Sequence, residues 1–407
     1  MRISFLVSSD HASGGMRAIH EYSRHLAARG HTVQISITRH GVVSGRTGRP
    51  LNGLQRMERQ VKRCLKVRQC LPMAARFGLR VAARHAVRLL RLRSEHRSAS
   101  GQPYGNARFV PDFDAAHLPE ADALVVYDWA SALRAAPLPA RFGRKFYLVQ
   151  AEEVQLGAPA ELAARAFRLP YCKVVVSSWL KRMMADNYGE EAKGPVINGV
   201  DFDQFHDAGG DEKRSQRVGM MYASAPYKGS RDGIRAIELA RRECPDIELL
   251  VFGRDAPSFP LPAPTRFYYD PPQEMLRNLY SSCGIWISPS LVEGSPMPVQ
   301  EAMACGCAVV TTNVGGVQDW ARPGVNVVVV APGDVNAMAA EVVALHRDQE
   351  RRRAIAAAAS ADIRQFTWER AAEQFEQILS GTGCSASGTD DRGAAARGML
   401  SEQPSSH

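Results

Sequence analysis

The sequence predicts an α/β protein of two similar domains, each built around a parallel sheet. Short apolar runs typical of buried strands alternate with segments of helical period, and this alternation occurs in two successive series. A turn rich in Gly and Pro at residues 194–199 separates the two series. The length of 407 residues and an ordinary globular composition, 45% apolar and 23% charged, fit two full domains. We therefore expect one domain at residues 1–195 and a second at residues 196–379.

The first series opens with a β-α-β unit. We predict a buried strand at residues 3–7, a flexible turn at 13–15, a helix at 16–29 that ends at Gly30, and a strand at 32–37. Beyond a strongly basic segment, the pattern predicts strands at 123–127, 145–149 and 173–177 and a helix at 179–187. This alternation predicts a doubly wound parallel sheet of the Rossmann type.

The second series repeats the alternation more clearly. The predicted strands are residues 217–222, 248–252, 285–288, 308–312 and 326–330. The predicted helices are residues 232–243, 298–305, 335–345, 349–365 and 368–379, and we expect the final helix to pack back on the first domain. Residues 380–407 are rich in Gly, Ser, Ala, Asp and Arg and are expected to form a disordered tail. Two Rossmann-like domains of this kind predict a ligand-binding cleft between them.

The positive charge of the chain is concentrated in one segment. Residues 46–97 contain 15 basic and two acidic residues, so this segment carries +13 of a chain total of +9, and the remainder is net −4. A uniformly basic nucleic-acid-binding protein is therefore disfavoured. From residue 76 onward a helical wheel places arginines on one arc and apolar residues on most of the other side; the arginines are Arg76, Arg80, Arg84, Arg88 and Arg91. Such a helix fits an anionic membrane surface, or alternatively packs on its own domain with a solvated arginine face.

The sequence also indicates a compartment. No run of about 18 apolar residues occurs, and the apolar run at the N-terminus is too short for a signal peptide. Eight dispersed cysteines lack the paired spacing of a metal site and fit a reducing compartment. Cys305 and Cys307 flank Gly306 and are expected to be packing residues. We therefore expect a cytoplasmic protein, peripheral at the inner face of the membrane.

Two glutamates carry the main chemical signal. Glu293 lies in the loop after the strand at 285–288, and Glu301 lies eight positions later in the helix that Pro298 opens. The start of that helix can bind a phosphate through its backbone N–H groups. Carboxylates beside it can accept hydrogen bonds from hydroxyl groups of a sugar and a ribose. A nucleotide sugar combines these groups, although each glutamate alone is also compatible with a purely structural role.

With its setting, this segment resembles the E-x7-E motif of retaining glycosyltransferases of the GT-B fold, in the group often called family 4. Further short motifs occur in the order expected for that family. They are Ser13-Gly14-Gly15, Ser177-Ser178-Trp179, Asn198-Gly199-Val200-Asp201, Tyr227-Lys228-Gly229, Gly315-Gly316 and Phe366-Thr367-Trp368-Glu369. The resemblance covers nearly the whole chain except residues 46–97 and the tail.

The resemblance implies a donor site in the second domain. Glu293 would contact the donor sugar, Glu301 the ribose, and Lys228 the diphosphate, and the backbone N–H groups of Ser295 and Met297, which follow Gly294, would lie near the sugar and diphosphate. An arginine that the family commonly places before the lysine is replaced here by Tyr222, and Arg231 or Arg254 is expected to substitute for it. Gly14 and Gly15 would let the backbone approach a phosphate from the first domain.

Polar residues at strand ends of the first domain are expected to face the acceptor. Gln150 and Glu153 match a V-Q-x-x-E segment that resembles some bacterial rhamnosyltransferase-like members, with Ala151 in place of a more usual acidic residue. Asp128 follows the strand at 123–127, and Arg17 lies in the first turn of the first helix; both are candidates on the acceptor side. Water-exposed, purely structural positions remain the alternative for each of these residues.

The predicted function is therefore transfer of a sugar from a nucleotide diphosphate sugar to a hydroxyl of a glycan or lipid-linked acceptor, in assembly of a cell-surface polysaccharide such as lipopolysaccharide. The resemblance implies a hexosyltransferase that retains the anomeric configuration, with no cofactor and no metal. The short D-x-D sequences at Asp112 and Asp201 are too common to indicate a metal site. A nucleotide-sugar epimerase of the same fold and a noncatalytic nucleotide-sugar-binding protein are the alternatives.

Overall fold

A computed structural model describes residues 1–8, 14–38, 106–209 and 212–381. The basic segment 46–97 and the tail from residue 382 lie outside the described residues, so the predictions made for them have no structural counterpart here. Within the described ranges, no helix is both long enough and apolar enough to span a membrane.

The described part of the N-terminal domain contains a seven-stranded parallel sheet with the strand order β3-β2-β1-β4-β5-β6-β7. Its strands are β1 Arg2–Val7, β2 Thr32–Thr38, β3 Ala107–Val110, β4 Ala123–Val126, β5 Arg144–Val149, β6 Cys172–Val175 and β7 Ala192–Lys193. Its helices are α1 Gly14–Ala28, α2 Trp129–Ala135, α3 Ala160–Phe167 and α4 Ser178–Tyr188. The central strands are buried along nearly their whole length, as expected for a sheet covered by helices on both faces.

The C-terminal domain is built on a six-stranded parallel sheet with the order β10-β9-β8-β11-β12-β13. Its strands are β8 Arg217–Tyr222, β9 Glu248–Gly253, β10 Thr265–Tyr269, β11 Ile285–Ser288, β12 Ala308–Thr312 and β13 Val328–Val330. Its helices are α5 Ser230–Glu243, α6 Gln273–Ser281, α7 Met297–Ala304, α8 Val335–Arg347 and α9 Gln349–Ile363, and the last helix of the described chain is α10 Trp368–Ser380. The predicted fold class, two Rossmann-like α/β domains, is confirmed.

The strand order fixes where a ligand can bind. In each sheet, successive strands are first added on one side and then on the other. The strand order therefore reverses between β1 and β4 in the first sheet and between β8 and β11 in the second. Ligands of open α/β sheets bind at such a switch point, outside the carboxyl ends of the strands. Asp128, Lys228 and Glu293 follow β4, β8 and β11, and Gly14 begins the helix that follows β1. These residues therefore mark the candidate site.

Several elements differ from the sequence prediction. Gly14 and Gly15 are the first two residues of α1 rather than a turn, and α7 begins at Met297, one residue before Pro298. The strand β13 begins at Val328 because Asn326 is used by the preceding turn, where its side chain accepts from the N–H of Arg322 and donates to the carbonyl of Trp320. The sequence pattern did not predict β3, β7, β10, α2, α3 or α6.

The last helix returns to the N-terminal domain. Val200 forms a β-bridge with Thr367 just before α10 begins, and α10 then packs its apolar face into the core of the first domain. Phe375 lies 5.0 Å from the Tyr22 ring and 6.5 Å from the Phe5 ring, measured between centroids. The helix therefore follows the C-terminal domain in sequence but packs in the core of the N-terminal domain, and so connects the two domains.

We predict that Phe375→Ala destabilises the protein by about 3–5 kcal/mol, because it leaves a cavity in a fully buried cluster. The free energy of unfolding from urea titrations measures this loss. The matched control is Gln377→Ala, an exposed position on the same helix. A loss below about 1 kcal/mol for Phe375→Ala would show that α10 contributes little to the N-terminal core.

Candidate active site

Glu293 and Lys228 form an ion pair at the carboxyl ends of β11 and β8. Lys228 Nζ donates to Glu293 Oε1 at 2.7 Å, and Ser290 Oγ donates to the same oxygen at 2.8 Å. Lys228 ends a short 3₁₀ turn, Pro226–Lys228, and Gly229 follows it with φ of +62°. A Cβ at Gly229 would lie 1.9 Å from the carbonyl oxygen of Pro289, so only glycine allows the two loops to approach this closely.

The pair keeps Lys228 charged in a largely buried place. Burial alone would lower the pKa of Lys228, but the charge and hydrogen bond of Glu293 outweigh burial and raise that pKa above its ordinary value. The Lys228 side chain remains 21% exposed and that of Glu293 remains 12% exposed. A persistent positive charge is thus available at the switch point of the second sheet, and it can exchange its carboxylate partner for an anionic ligand.

Glu301 is the more deeply buried of the two glutamates. Its Oε2 accepts from the hydroxyl of Tyr280 at 2.9 Å, and its Oε1 accepts from Nη1 of Arg17 in the other domain. Burial raises the pKa of Glu301, although the charge of Arg17 and the Tyr280 hydrogen bond oppose the rise. Arg17, expected on the acceptor side, therefore contacts the motif of the opposite domain. Nothing in the sequence pattern indicated the contact with Tyr280, because α6 was not predicted.

The loop between the glutamates is pressed against the N-terminal domain. A Cβ at Gly294 would lie 1.7 Å from the carbonyl oxygen of Gln150, and the Gly294 carbonyl accepts from the N–H of Gly316 at 3.0 Å. The loop is therefore fixed on one side by its own domain and on the other by the end of β5. The absence of a side chain at Gly294 is what permits this contact between domains.

Two helix starts meet beside this loop. A Cβ at Gly14 would lie 3.3 Å from Cε of Met297, the first residue of α7, and Gln150 Nε2 donates to the carbonyl of Gly15 at 3.3 Å. The Met297 N–H, which was expected to face the donor, donates to the Ser295 carbonyl at 3.0 Å in this structure. A ligand at this N–H must therefore displace a local hydrogen bond. Converging helix N-termini favour an anion at this place.

Tyr222 stands where the family has an arginine, and Arg231 or Arg254 was expected to substitute for it at the donor site. The contacts of these three side chains differ from that expectation. The Tyr222 hydroxyl accepts from the N–H of Ser258 at 3.0 Å, so this side chain holds the loop after β9. The Arg231 guanidinium lies 4.7 Å from the centroid of the Phe259 ring. Arg254 pairs with Asp270, with 3.3 Å between Nε and Oδ1, and 58% of its side chain is exposed. These contacts direct both arginines toward the loop after β9 and the end of β10 rather than toward the glutamates.

Asp128 and Glu153, expected to face an acceptor, are both used to start α2. Asp128 caps the helix by accepting from the N–H of Ser131 at 2.7 Å. Glu153 accepts from the N–H of Trp129 at 2.9 Å and from the hydroxyl of Tyr147. Burial, reinforced by the negative charge of Asp128, raises the pKa of Glu153 to about 8. The two carboxyl groups thus have a structural role at the start of α2. Among the acceptor-side candidates, Gln150 lies directly against the loop that carries Gly294.

The raised pKa of Glu153 predicts a pH dependence of stability. In the unfolded chain this group titrates near 4.5, so between pH 4.5 and about 8 the folded state holds a proton that the unfolded state lacks. Stability therefore falls as pH rises through this window. Raising the pH from about 5.5 to 8.5 is expected to lower the free energy of unfolding by about 3 kcal/mol through this group, and Glu153→Gln should remove that part.

Urea titrations at the two pH values measure this difference, and Glu161→Gln, an exposed carboxyl on α3, is the control. An equal pH dependence in wild type and Glu153→Gln would contradict the assignment.

No cluster of three or more metal-ligating side chains occurs among the residues that the structure describes. Asp112 and Asp201, which head the D-x-D sequences, accept from backbone N–H groups of their own turns at 2.9 and 3.1 Å. Cys305 and Cys307 are buried free thiols on either side of Gly306. Burial raises the pKa of both thiols, which makes them poor nucleophiles and fits packing positions.

Comparison with known proteins shows which families and structures the chain resembles. Residues 214–348 match the family model described as glycosyl transferases group 1. The O-antigen chain mannosyltransferase B of Escherichia coli is 34% identical over 103 residues, 25% of this chain and 26% of the relative. A D-inositol 3-phosphate glycosyltransferase of Xylanimonas cellulosilytica is 37% identical over 117 residues, 28% of each chain. These alignments span only about a quarter of the length of the curated relatives.

Solved structures extend the likeness of fold to both domains. HepE of Anabaena in complex with UDP has a TM-score of 0.67 at 16% identity, over 93% of this chain and 100% of that one. A sucrose-phosphate synthase of Thermosynechococcus elongatus has a TM-score of 0.64 at 16% identity, over 93% and 98% of the two chains. The chain thus has the two-domain GT-B fold. The similarity to the glycosyl transferases group 1 model lies within its C-terminal domain.

Proposed function

We propose that this protein is a retaining glycosyltransferase that moves a sugar from a nucleotide diphosphate donor to a hydroxyl of a glycan or lipid-linked acceptor. The observation that carries the proposal is the arrangement around α7. Glu293, paired with Lys228, and Glu301 flank the start of this helix at the switch point of the second sheet. The group 1 match over residues 214–348 supports the same conclusion.

The proposed donor contacts follow from the chemistry of each group. A carboxylate accepts hydrogen bonds from hydroxyls, so Glu293 in the loop suits the sugar and the buried Glu301 suits the ribose. The start of α7 and Lys228 suit the diphosphate that connects the sugar to the ribose. Gly294, Ser295 and Met297 would form the wall against which the sugar and diphosphate lie.

Lys228 has the main chemical role in the proposed transfer. When the anomeric C–O bond breaks, the bonding electron pair goes to the diphosphate oxygen, and negative charge develops there. A fixed ammonium group next to that oxygen stabilises the transition state more than the ground state. Before donor binding, Glu293 keeps this ammonium in place, and on binding Lys228 would turn from the carboxylate to the phosphate while Glu293 turns to the sugar.

Retention of configuration is part of the proposal. The departing diphosphate would accept the proton of the incoming hydroxyl on the same face of the sugar ring, so that the new C–O bond forms where the old one breaks. We expect no requirement for a metal ion or cofactor, because Lys228 and the helix start supply positive charge at the leaving group. The support here is the resemblance of the E-x7-E segment to retaining family 4 enzymes.

The acceptor and the location are proposed on separate grounds. The Escherichia coli relative is an O-antigen chain mannosyltransferase, and this similarity supports an acceptor in cell-surface polysaccharide such as lipopolysaccharide. The +13 charge of residues 46–97 supports docking on an anionic membrane from the cytoplasmic side. An acceptor held on lipid would then reach the N-terminal domain at the membrane surface.

Thermal stabilisation by nucleotide sugars tests the donor site. Wild type and Glu293→Gln are heated with UDP-, GDP-, ADP- and dTDP-sugars, and Glu350→Gln on the exposed start of α9 is the control. We expect one class of nucleotide sugar to raise the melting temperature of wild type and of the control, with a smaller rise in Glu293→Gln. Failure of every nucleotide sugar to stabilise wild type would contradict the proposed function.

A further inference from the structure

Arg17 is a cation of the N-terminal domain that is held by three groups of the C-terminal domain. Its Nη1 donates to Glu301 Oε1, and its guanidinium lies 5.0 Å from the centroid of the Phe205 ring. When the side-chain amide of Gln273 is oriented with its oxygen toward Arg17, this oxygen accepts from Nη1 at 3.2 Å and from Nη2 at 3.3 Å. Yet 23% of the Arg17 side chain remains exposed. Since a guanidinium has five N–H donors, these contacts leave others for a ligand.

The place of Arg17 is the donor side of the cleft. It lies in the first turn of α1, and the start of that helix meets the start of α7 at Gly14 and Met297. Glu301, its partner, belongs to α7 itself. A phosphate bound at the start of α7 would therefore lie between Lys228 and Arg17, whose side chains already contact the two glutamates of the same segment.

The charges of the site call for this second cation. Lys228 and Glu293 compensate one another, and Glu301 adds a buried negative charge. The diphosphate of a nucleotide sugar brings two more negative charges. With Arg17 the four protein side chains sum to zero, and without it they sum to −1 and repel the ligand. Arg231 and Arg254 are directed elsewhere, toward Phe259 and Asp270.

We propose that Arg17 is the second cation that binds the donor diphosphate and that it reaches the donor from the opposite domain. This inference rests on the proposed function. Arg17 keeps one guanidinium nitrogen on Glu301 and offers the others to a phosphate oxygen, a division of donors that a planar guanidinium allows and an ammonium does not. The diphosphate then contacts both domains, so its binding favours the arrangement in which α1 and α7 meet.

Nucleotide affinities test the proposal. The dissociation constants of UDP, GDP, ADP and dTDP are measured by calorimetry for wild type, Arg17→Gln and Arg17→Lys. For the diphosphate that binds, the dissociation constant of the corresponding nucleoside is measured by competition with that diphosphate. Arg24→Gln is the matched control, because Arg24 lies on the same helix and pairs with Glu21. Arg17→Gln should weaken diphosphate binding by at least about tenfold and leave nucleoside binding within about twofold. Arg17→Lys should recover part of the loss.

Four results would overturn the proposal. An equal loss for diphosphate and nucleoside would mean that Arg17 acts only by holding Glu301 at the ribose. Tighter binding by Arg17→Gln would mean that Arg17 competes with the nucleotide for that carboxylate. Binding by no diphosphate to wild type would overturn the proposed function and this inference together, whereas unchanged affinity in Arg17→Gln would overturn the inference alone.

Discussion

Lys228→Ala is expected to lower the rate constant of sugar transfer by about 10²–10³-fold, the cost typical of removing one donor from a charged transition state. The reason is the position of the Nζ atom, 2.7 Å from Glu293 at the end of β8, where the leaving diphosphate would develop its charge. Binding of the donor should weaken less than turnover, because the start of α7 still holds the phosphates. Steady-state kinetics that separate kcat from KM measure both effects.

Two variants complete this test. Lys213→Ala removes an exposed lysine of the same domain, 3.9 Å from Glu248, and should leave kcat unchanged. Lys228→Ala also leaves Glu293 without its cation. The melting temperature of Lys228→Ala is therefore compared with that of the double variant Lys228→Ala/Glu293→Gln, in which the unpaired charge is removed. A kcat within about threefold of wild type in folded Lys228→Ala would contradict the assigned role of this lysine.

Gly294→Ala is the second variant with a large expected effect, although it removes no chemical group. The added Cβ would lie 1.7 Å from the carbonyl oxygen of Gln150, far inside contact distance with rigid backbone. The two domains would have to separate or the loop of Glu293 would have to move. A displacement of about 1 Å at reacting groups can cost about 100-fold, so we expect kcat/KM to fall by at least that factor.

The matched control is Leu291→Ala, which changes an exposed side chain of the same loop. Small-angle scattering in the presence of nucleotide distinguishes the two consequences of Gly294→Ala, since separated domains increase the radius of gyration. Wild-type kinetics in Gly294→Ala would show that the contact between Gly294 and Gln150 is not part of the active arrangement.

The part of the fold that sequence patterns predicted is the part with strong hydrophobic patterning. Strands such as β8 and β12, buried along almost their whole length, were located to the residue. In contrast, β10 is half-buried and contains an exposed arginine, Arg266, because it lies at the edge of its sheet. Its pattern resembles a loop, and it was not predicted.

The site divides in the same way. Glu293, Lys228 and Glu301 could be found because they belong to short local motifs whose order along the chain is informative. The contact of Arg17 with Glu301 joins residues 284 positions apart and depends on how the two domains meet, so no local pattern contains it. Glu153 was identified as a polar residue at a strand end, but only the structure shows that it binds the start of α2.

Release of nucleoside diphosphate from a nucleotide sugar tests the central claim most directly. Wild type and Lys228→Ala are incubated with the donor that stabilises the protein, with and without a lipid-linked glycan, and the nucleoside diphosphate is quantified by chromatography. The account predicts release by wild type, faster with acceptor, and a loss of about 10²–10³-fold in Lys228→Ala. Stabilisation by the donor without any release would indicate a binding protein, and conversion of the sugar while it stays attached to the nucleotide would indicate an epimerase; either result would contradict the account.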